Sequence, residues 1–154
     1  HKPYIREDHF SGGRPFCTQA RILGSDISSE ALERARAGTY TLFEMERGLG
    51  ESDRQNFFVP AGNLYQINPV LRENIEFEHI NLISGLIDKG EFDIIFCRNV
   101  LVYFNEARRN RVIDMLSDHV IGGGYFIFGN AERPSPSFRE KYELFAPNIY
   151  RKVG

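Results

Sequence analysis

Short apolar runs alternate along the chain with segments whose apolar residues recur every three or four positions. This predicts strands interleaved with helices around a mainly parallel sheet. The run Ala20–Asp26 (ARILGSD) reads as a short buried strand. Ser28 and Ser29 then offer a helix N-cap, Ala31, Leu32 and Ala35 an apolar face, and Gly38 a stop. Glu76–Ile80 reads as a second strand and Asn81–Ile87 as a short helix or turn. Phe92–Cys97 (FDIIFC), bounded by Gly90, is the clearest buried strand. Asn105–Val120 is the clearest helix, with Val112, Met115, Leu116, His119 and Val120 on one face and Gly122–Gly124 as its stop. Tyr125–Gly129 (YFIFG) predicts another buried strand. Lys141–Phe145 and Ile149–Val153, joined by Ala146-Pro147-Asn148, predict a terminal antiparallel hairpin.

Residues 39–74 break the alternation with Gly48, Gly50, Pro60, Gly62 and Pro69. Two extended runs there, Asn56–Val59 and Asn63–Ile67, predict a small hairpin-like β insertion at about 40–74. The expected architecture is one α/β domain over 1–154: a largely parallel, doubly wound sheet with this insertion and a C-terminal antiparallel hairpin.

Composition narrows the function. A chain of 154 residues with 42% hydrophobic and 26% charged residues has the size and core of one globular domain. Lys and Arg number 19 against 21 Asp and Glu, so no basic excess points to nucleic acid. The cluster Arg108-Arg109-Asn110-Arg111 reads as a solvated helix face, or as a surface for an acidic partner. No apolar run approaches the roughly 20 residues of a membrane span, so no membrane insertion is expected. No signal-peptide pattern is visible, and a cytoplasmic setting is expected. A chain that begins with His1 rather than Met also reads as a fragment of something longer. Cys17 and Cys97 form no disulfide framework or CxxC metal spacing, and Cys97 reads as a buried thiol. The four histidines show no metal-ligand spacing, and none is assigned to a metal.

Open α/β sheets bind ligands beyond the carboxyl ends of their strands. Asp26 follows the first predicted strand, Asn81 the second, Arg98 and Asn99 the third, and Asn130 and Glu132 the fourth. Four polar strand ends in series point to a small-molecule site. Asp26, just before a helix, stands where the ribose hydroxyls of a nucleotide-like ligand are read; it also suits a helix-capping or turn aspartate.

The segment FDIIFCRNVLVYF, residues 92–104, resembles a signature of the CheR-type protein-glutamate methyltransferases, which use S-adenosylmethionine. SDISSEALERARAGTY, IEFEHINLI, GYFIFGNAE and YIREDHF resemble further segments of that family, in the expected order over most of residues 4–153. The resemblance implies a Rossmann-like S-adenosylmethionine-dependent methyltransferase fold. It implies methyl transfer to glutamates of a chemoreceptor cytoplasmic domain or a related signalling protein, leaving S-adenosylhomocysteine. By the same resemblance Asp26 binds the ribose, and Asn81 and Leu82 face the adenine. Arg98 and Asn99 line the cofactor and the acceptor carboxylate, Arg6 pairs with the donor's methionine carboxylate, and Tyr103 sits near the sulfonium. In some members of the family the β insertion docks a receptor tail by strand addition.

These roles suit the chemistry. A glutamate is ionised at neutral pH, so its methylation needs no general base. Alignment of oxygen, methyl carbon and sulfur and exclusion of water then carry the rate. An aromatic ring accepts a nearby cation with about 0.5–2 kcal/mol. Arg98 and Tyr103 are therefore the expected catalytic pair, Arg98 for orientation alone.

One departure stands out. The family has a central strand and a glycine-rich loop of the form GCSTGEE, but here Phe10 reaches Ala20 through SGGRPFCTQ alone. That loop's backbone N–H groups and following helix receive part of the donor. Its loss leaves unpaired ladder groups on both flanking strands. Residues missing from the sequence, a donor-free homologue that binds a signalling partner, and a strand supplied by a partner chain all fit this departure. Asn130 and Ala131 also stand where the family commonly has His-Ser, and Lys2 where a small hydroxyl residue is common.

Overall fold

The computed structural model describes residues 20–85 and 89–154. The chain forms two compact units that divide between His79 and Ile80.

In the first unit β1 (Ile22–Asp26) pairs in parallel with β5 (Ile75–His79), Ile22 opposite Ile75 and Asp26 opposite His79. Between them runs α1 (Ser29–Ala37), which packs on both strands and buries Leu32. Its ends follow the sequence signals. The Ser28 hydroxyl accepts from the Ala31 N–H at 3.2 Å, and Gly38 closes the helix in the left-handed region at φ 62°.

The insertion is a three-stranded antiparallel sheet in the order β2 (Thr39–Tyr40), β4 (Leu64–Ile67), β3 (Phe58–Ala61). Pro60 lies on β3, an edge strand, where a missing N–H breaks no ladder. The predicted hairpin is present, but its first strand starts at Phe58 rather than Asn56. Residues Glu51–Phe57 form a helix instead, α3, after the short α2 (Leu42–Glu46). Acidic Glu51 and Asp53 suit the start of α3, and Gln55 and Asn56 bond back to Glu51 and Ser52 one turn earlier. Thr41 and Glu44 form a capping box on α2, and Arg34 of α1 reaches Glu44 at 2.6 Å.

In the second unit β6 (Phe92–Cys97) runs parallel to β7 (Val120–Phe128). Then β9 (Ile149–Lys152) and β8 (Tyr142–Ala146) extend the sheet antiparallel, in the order β6-β7-β9-β8. The terminal hairpin turns at Asn148, with φ 63°. α4 (Glu106–Asp118) lies between β6 and β7 in the chain and buries Val112, Ile113, Leu116 and Ser117. The predicted face was turned slightly: Ile113 and Ser117 take the places expected of Met115 and His119. His119 is the half-buried C-cap, its Nδ1 2.7 Å from the Gly90 carbonyl.

The glycine run is also corrected. Gly122–Gly124 does not stop the helix; it lies inside β7, beside a register shift. A Cβ on Gly124 would come within 2.7 Å of the Asp93 carbonyl, so the close approach of the two strands needs glycine there. A short helix absent from the sequence reading, α5 (Pro136–Lys141), closes the core. Its Phe138 stacks on Tyr142 at 4.0 Å and meets Phe126 and Phe128 edge-on at 5.3 and 5.2 Å. Ser135 caps α5 and, with Ser137, donates to Asp114 of α4 at 2.8 and 2.7 Å.

β6 departs from its expected burial. Ile95 and Cys97 are buried, but Phe96 is 69% exposed and Ile94 48%. The strand lies at the edge of its sheet among the described residues. Among the described residues β1 pairs only with β5 and β6 only with β7.

Candidate functional site

Each unit places polar residues at the carboxyl ends of its parallel strands. In the first unit Asp26 is the last residue of β1 and is exposed. Its Oδ1 accepts from the Ser28 N–H at 2.8 Å, a turn that leads directly into α1. The turn reading of Asp26 holds: Oδ1 shapes the turn, and Oδ2 is unengaged among the described residues.

The second unit begins with a turn. Asn81 Oδ1 accepts from the Ile83 N–H at 3.0 Å, and its carbonyl accepts from the Ser84 N–H at 2.9 Å. The oxygen side of the carboxamide is thus committed, which leaves its NH2 to donate. Leu82 is half-buried in the same turn. Arg98 and Asn99 follow β6 and are exposed, and Asn99 is left-handed at φ 61°. A short 3-10 helix, Leu101–Tyr103, comes next, with Leu101 fully buried and Tyr103 82% exposed. Arg98, Asn99 and Tyr103 thus share one loop. Arg6 lies outside the described residues.

The fourth strand end is not what its sequence suggested. Asn130 is exposed, and its side-chain oxygen accepts from Asn148 at 2.8 Å. Glu132, expected to face a ligand, is 3% exposed and commits its carboxylate to backbone. Its Oε1 accepts from the Val100 and Leu101 N–H groups at 2.9 Å each, and its Oε2 from the Gly129 N–H at 2.6 Å. The sequence holds one clue: an acid three residues past the strand's closing glycine. Nothing local marks that its partners lie 31 and 32 residues back. The nearby Cys97 thiol is pushed up to about 12 by burial, with the Glu132 charge adding to the shift. It is a buried free thiol, as the sequence suggested.

Among the described residues no helix is long and apolar enough to cross a membrane.

The fold is a Rossmann-like α/β fold of the methyltransferase type. The N-methyltransferase NodS from Bradyrhizobium japonicum matches it with a TM-score of 0.50, over 87% of this chain and 74% of that one, at 12% identity. That likeness concerns the fold alone. The family described as CheR methyltransferase, SAM binding domain, matches residues 10–149. A chemotaxis protein methyltransferase of Vibrio parahaemolyticus is 34% identical over 128 residues, 82% of this chain and 46% of the relative. One from Listeria innocua is 36% identical over 112 residues, 73% of this chain and 42% of the relative. The chain belongs to the CheR methyltransferase family and carries its S-adenosylmethionine-binding domain. It spans less than half the length of these two relatives.

Proposed function

We propose that the protein transfers the methyl group of S-adenosylmethionine to glutamate side chains of a chemoreceptor cytoplasmic domain. The observation that carries this reading is the pair of strand ends, Asp26 at β1 and Arg98–Asn99 at β6, each with polar atoms unspent by the fold. The names of the relatives, chemotaxis protein methyltransferases, support the substrate class.

S-adenosylmethionine, when bound, supplies a methyl group on a sulfonium leaving group. Asp26 accepts from the ribose hydroxyls with its free oxygen. The Asn81 NH2 donates to the adenine, with Leu82 against the ring. Arg98 holds the acceptor carboxylate in line, Asn99 lines the same place, and Arg6 pairs with the methionine carboxylate. Tyr103 presents its ring to the cation. The acceptor carboxylate that takes this activated methyl group is already ionised and asks no proton transfer of these residues. The three-stranded insertion around β4 is the proposed dock for a receptor tail, which would raise the local concentration of acceptor sites.

Calorimetry with S-adenosylhomocysteine on the full chain tests the donor site. Saturable binding that weakens about tenfold on Asp26→Ala supports it. No binding by the unaltered protein overturns it. Deleting residues 56–67 should weaken receptor binding and spare donor binding; unchanged receptor binding removes the docking role.

A further inference from the structure

Glu132 is the one charged side chain that is buried among the described residues. Its two oxygens join two separate places in the second unit. Oε1 takes the N–H groups of Val100 and Leu101, where the 3-10 helix begins, and Oε2 takes that of Gly129, just past the end of β7. The same contact zone includes Asn99. A Cβ on Gly129 would lie 2.8 Å from Glu132 Oε2, 3.0 Å from Asn99 Oδ1 and 3.1 Å from Asn99 N. Glycine there allows the left-handed residue to sit against the end of β7.

A surface loop needs no such device. Burying a carboxylate is costly unless every lone pair is used, and an amide or a water caps a turn with less desolvation. What charge adds is short, directional bonds to several donors at once. Two of the three bonds fix the backbone just after Asn99, in a segment that carries Arg98, Asn99 and Tyr103, and the third ties that segment to Gly129 at the end of β7. We propose that Glu132 is the positioning residue of this site: with Gly129 it sets the loop that presents Arg98 and Tyr103 to the reacting groups. This rests on the methyl-transfer reading above.

The test compares three variants of the full chain. Glu132→Gln keeps the size but turns one acceptor into a donor that faces an N–H. Gly129→Ala keeps the Glu132 side chain but sets a Cβ against both its Oε2 and Asn99, so the contact between them must open. Tyr142→Phe is a control: it removes a buried hydroxyl that donates to the Ser117 carbonyl, in the same unit but outside the bonds that Glu132 makes. Per folded molecule, Glu132→Gln and Gly129→Ala should each lower kcat about tenfold to a hundredfold. Affinity for S-adenosylhomocysteine should stay within about threefold. Backbone amide exchange at Val100, Leu101 and Gly129 should rise in Glu132→Gln. Tyr142→Phe should leave kcat unchanged. The positioning role is overturned if the first two variants keep their kcat per folded molecule, or lose it no more than the control does. Should Glu132→Gln fail to fold, Gly129→Ala decides alone. An unaltered protein that binds no S-adenosylhomocysteine fails the functional reading itself. A protein that binds and turns over but ignores these changes fails only the positioning role.

Discussion

The ends of β1 and β6 are both strand ends that lead into helical segments, and they are held in opposite ways. At β1 the restraints are local and exposed: Asp26 accepts from Ser28, and Ser28 from Ala31. At β6 the restraint comes from a buried carboxylate more than thirty residues onward. An aspartate held by its own turn keeps an oxygen free for a ligand. A loop held from outside keeps its own side chains free instead, because Glu132 takes up the backbone donors and Arg98 and Tyr103 take no part in the restraint.

The sharpest way to break this comparison is to remove each restraint. Glu132→Ala leaves three backbone N–H groups without their acceptor, two of them buried and one half-buried, and should cost about 3–5 kcal/mol in urea unfolding. A loss below about 1 kcal/mol would mean that water replaces the carboxylate easily. Tyr142→Phe, which takes one donor from a carbonyl that Lys152 also serves, should cost about 1 kcal/mol. Ser28→Ala removes one cap of an exposed helix and should cost about 0.5–1 kcal/mol. Asp26→Ala should change stability by less than about 0.5 kcal/mol, so its effect on donor binding belongs to the site and not to the fold.

The pH dependence separates the two units further. In the second, burial raises Cys97 to about 12 from 9.0, and burial with the Asp118 charge raises Tyr142 above its ordinary 10.0. Both folded groups keep protons that the unfolded chain releases, so stability falls as pH rises past about 9. Melting temperatures between neutral and alkaline pH should show the fall, and Cys97→Ala should lessen it; a flat profile would contradict it. In the first unit the Thr41 backbone N–H, more than any other group, holds Glu44 below 4.5. Its contribution is therefore present above that value and is lost as pH falls through the lowered one. Glu44→Gln should remove that small acid limb and leave the alkaline one.

Local rules were enough for much of this. FDIIFC is β6 to the residue, Ser28 and Gly38 bound α1, and Asn148 turns the last hairpin. The misses share a cause. Gly122–Gly124 resembled a helix stop because glycine is the commonest one, but the nearness of Asp93 in another strand required it in β7. Residues 51–57 mixed polar side chains without a clear apolar stripe, so α3 carried no periodic signal. Phe96 resembled a core residue, and its exposure depends on which neighbours β6 has.

Sequence by itself determined the alternation of strands and helices, the family, and the residues at the strand ends, because period, capping and motif are written within a few positions of one another. Tertiary structure alone decided that Glu132 faces inward rather than toward a ligand, and that the loop bearing Arg98 and Tyr103 rests on it. A carboxylate's partners are chosen by distance in space, and no pattern of neighbouring residues records which distant N–H groups the fold will bring to it.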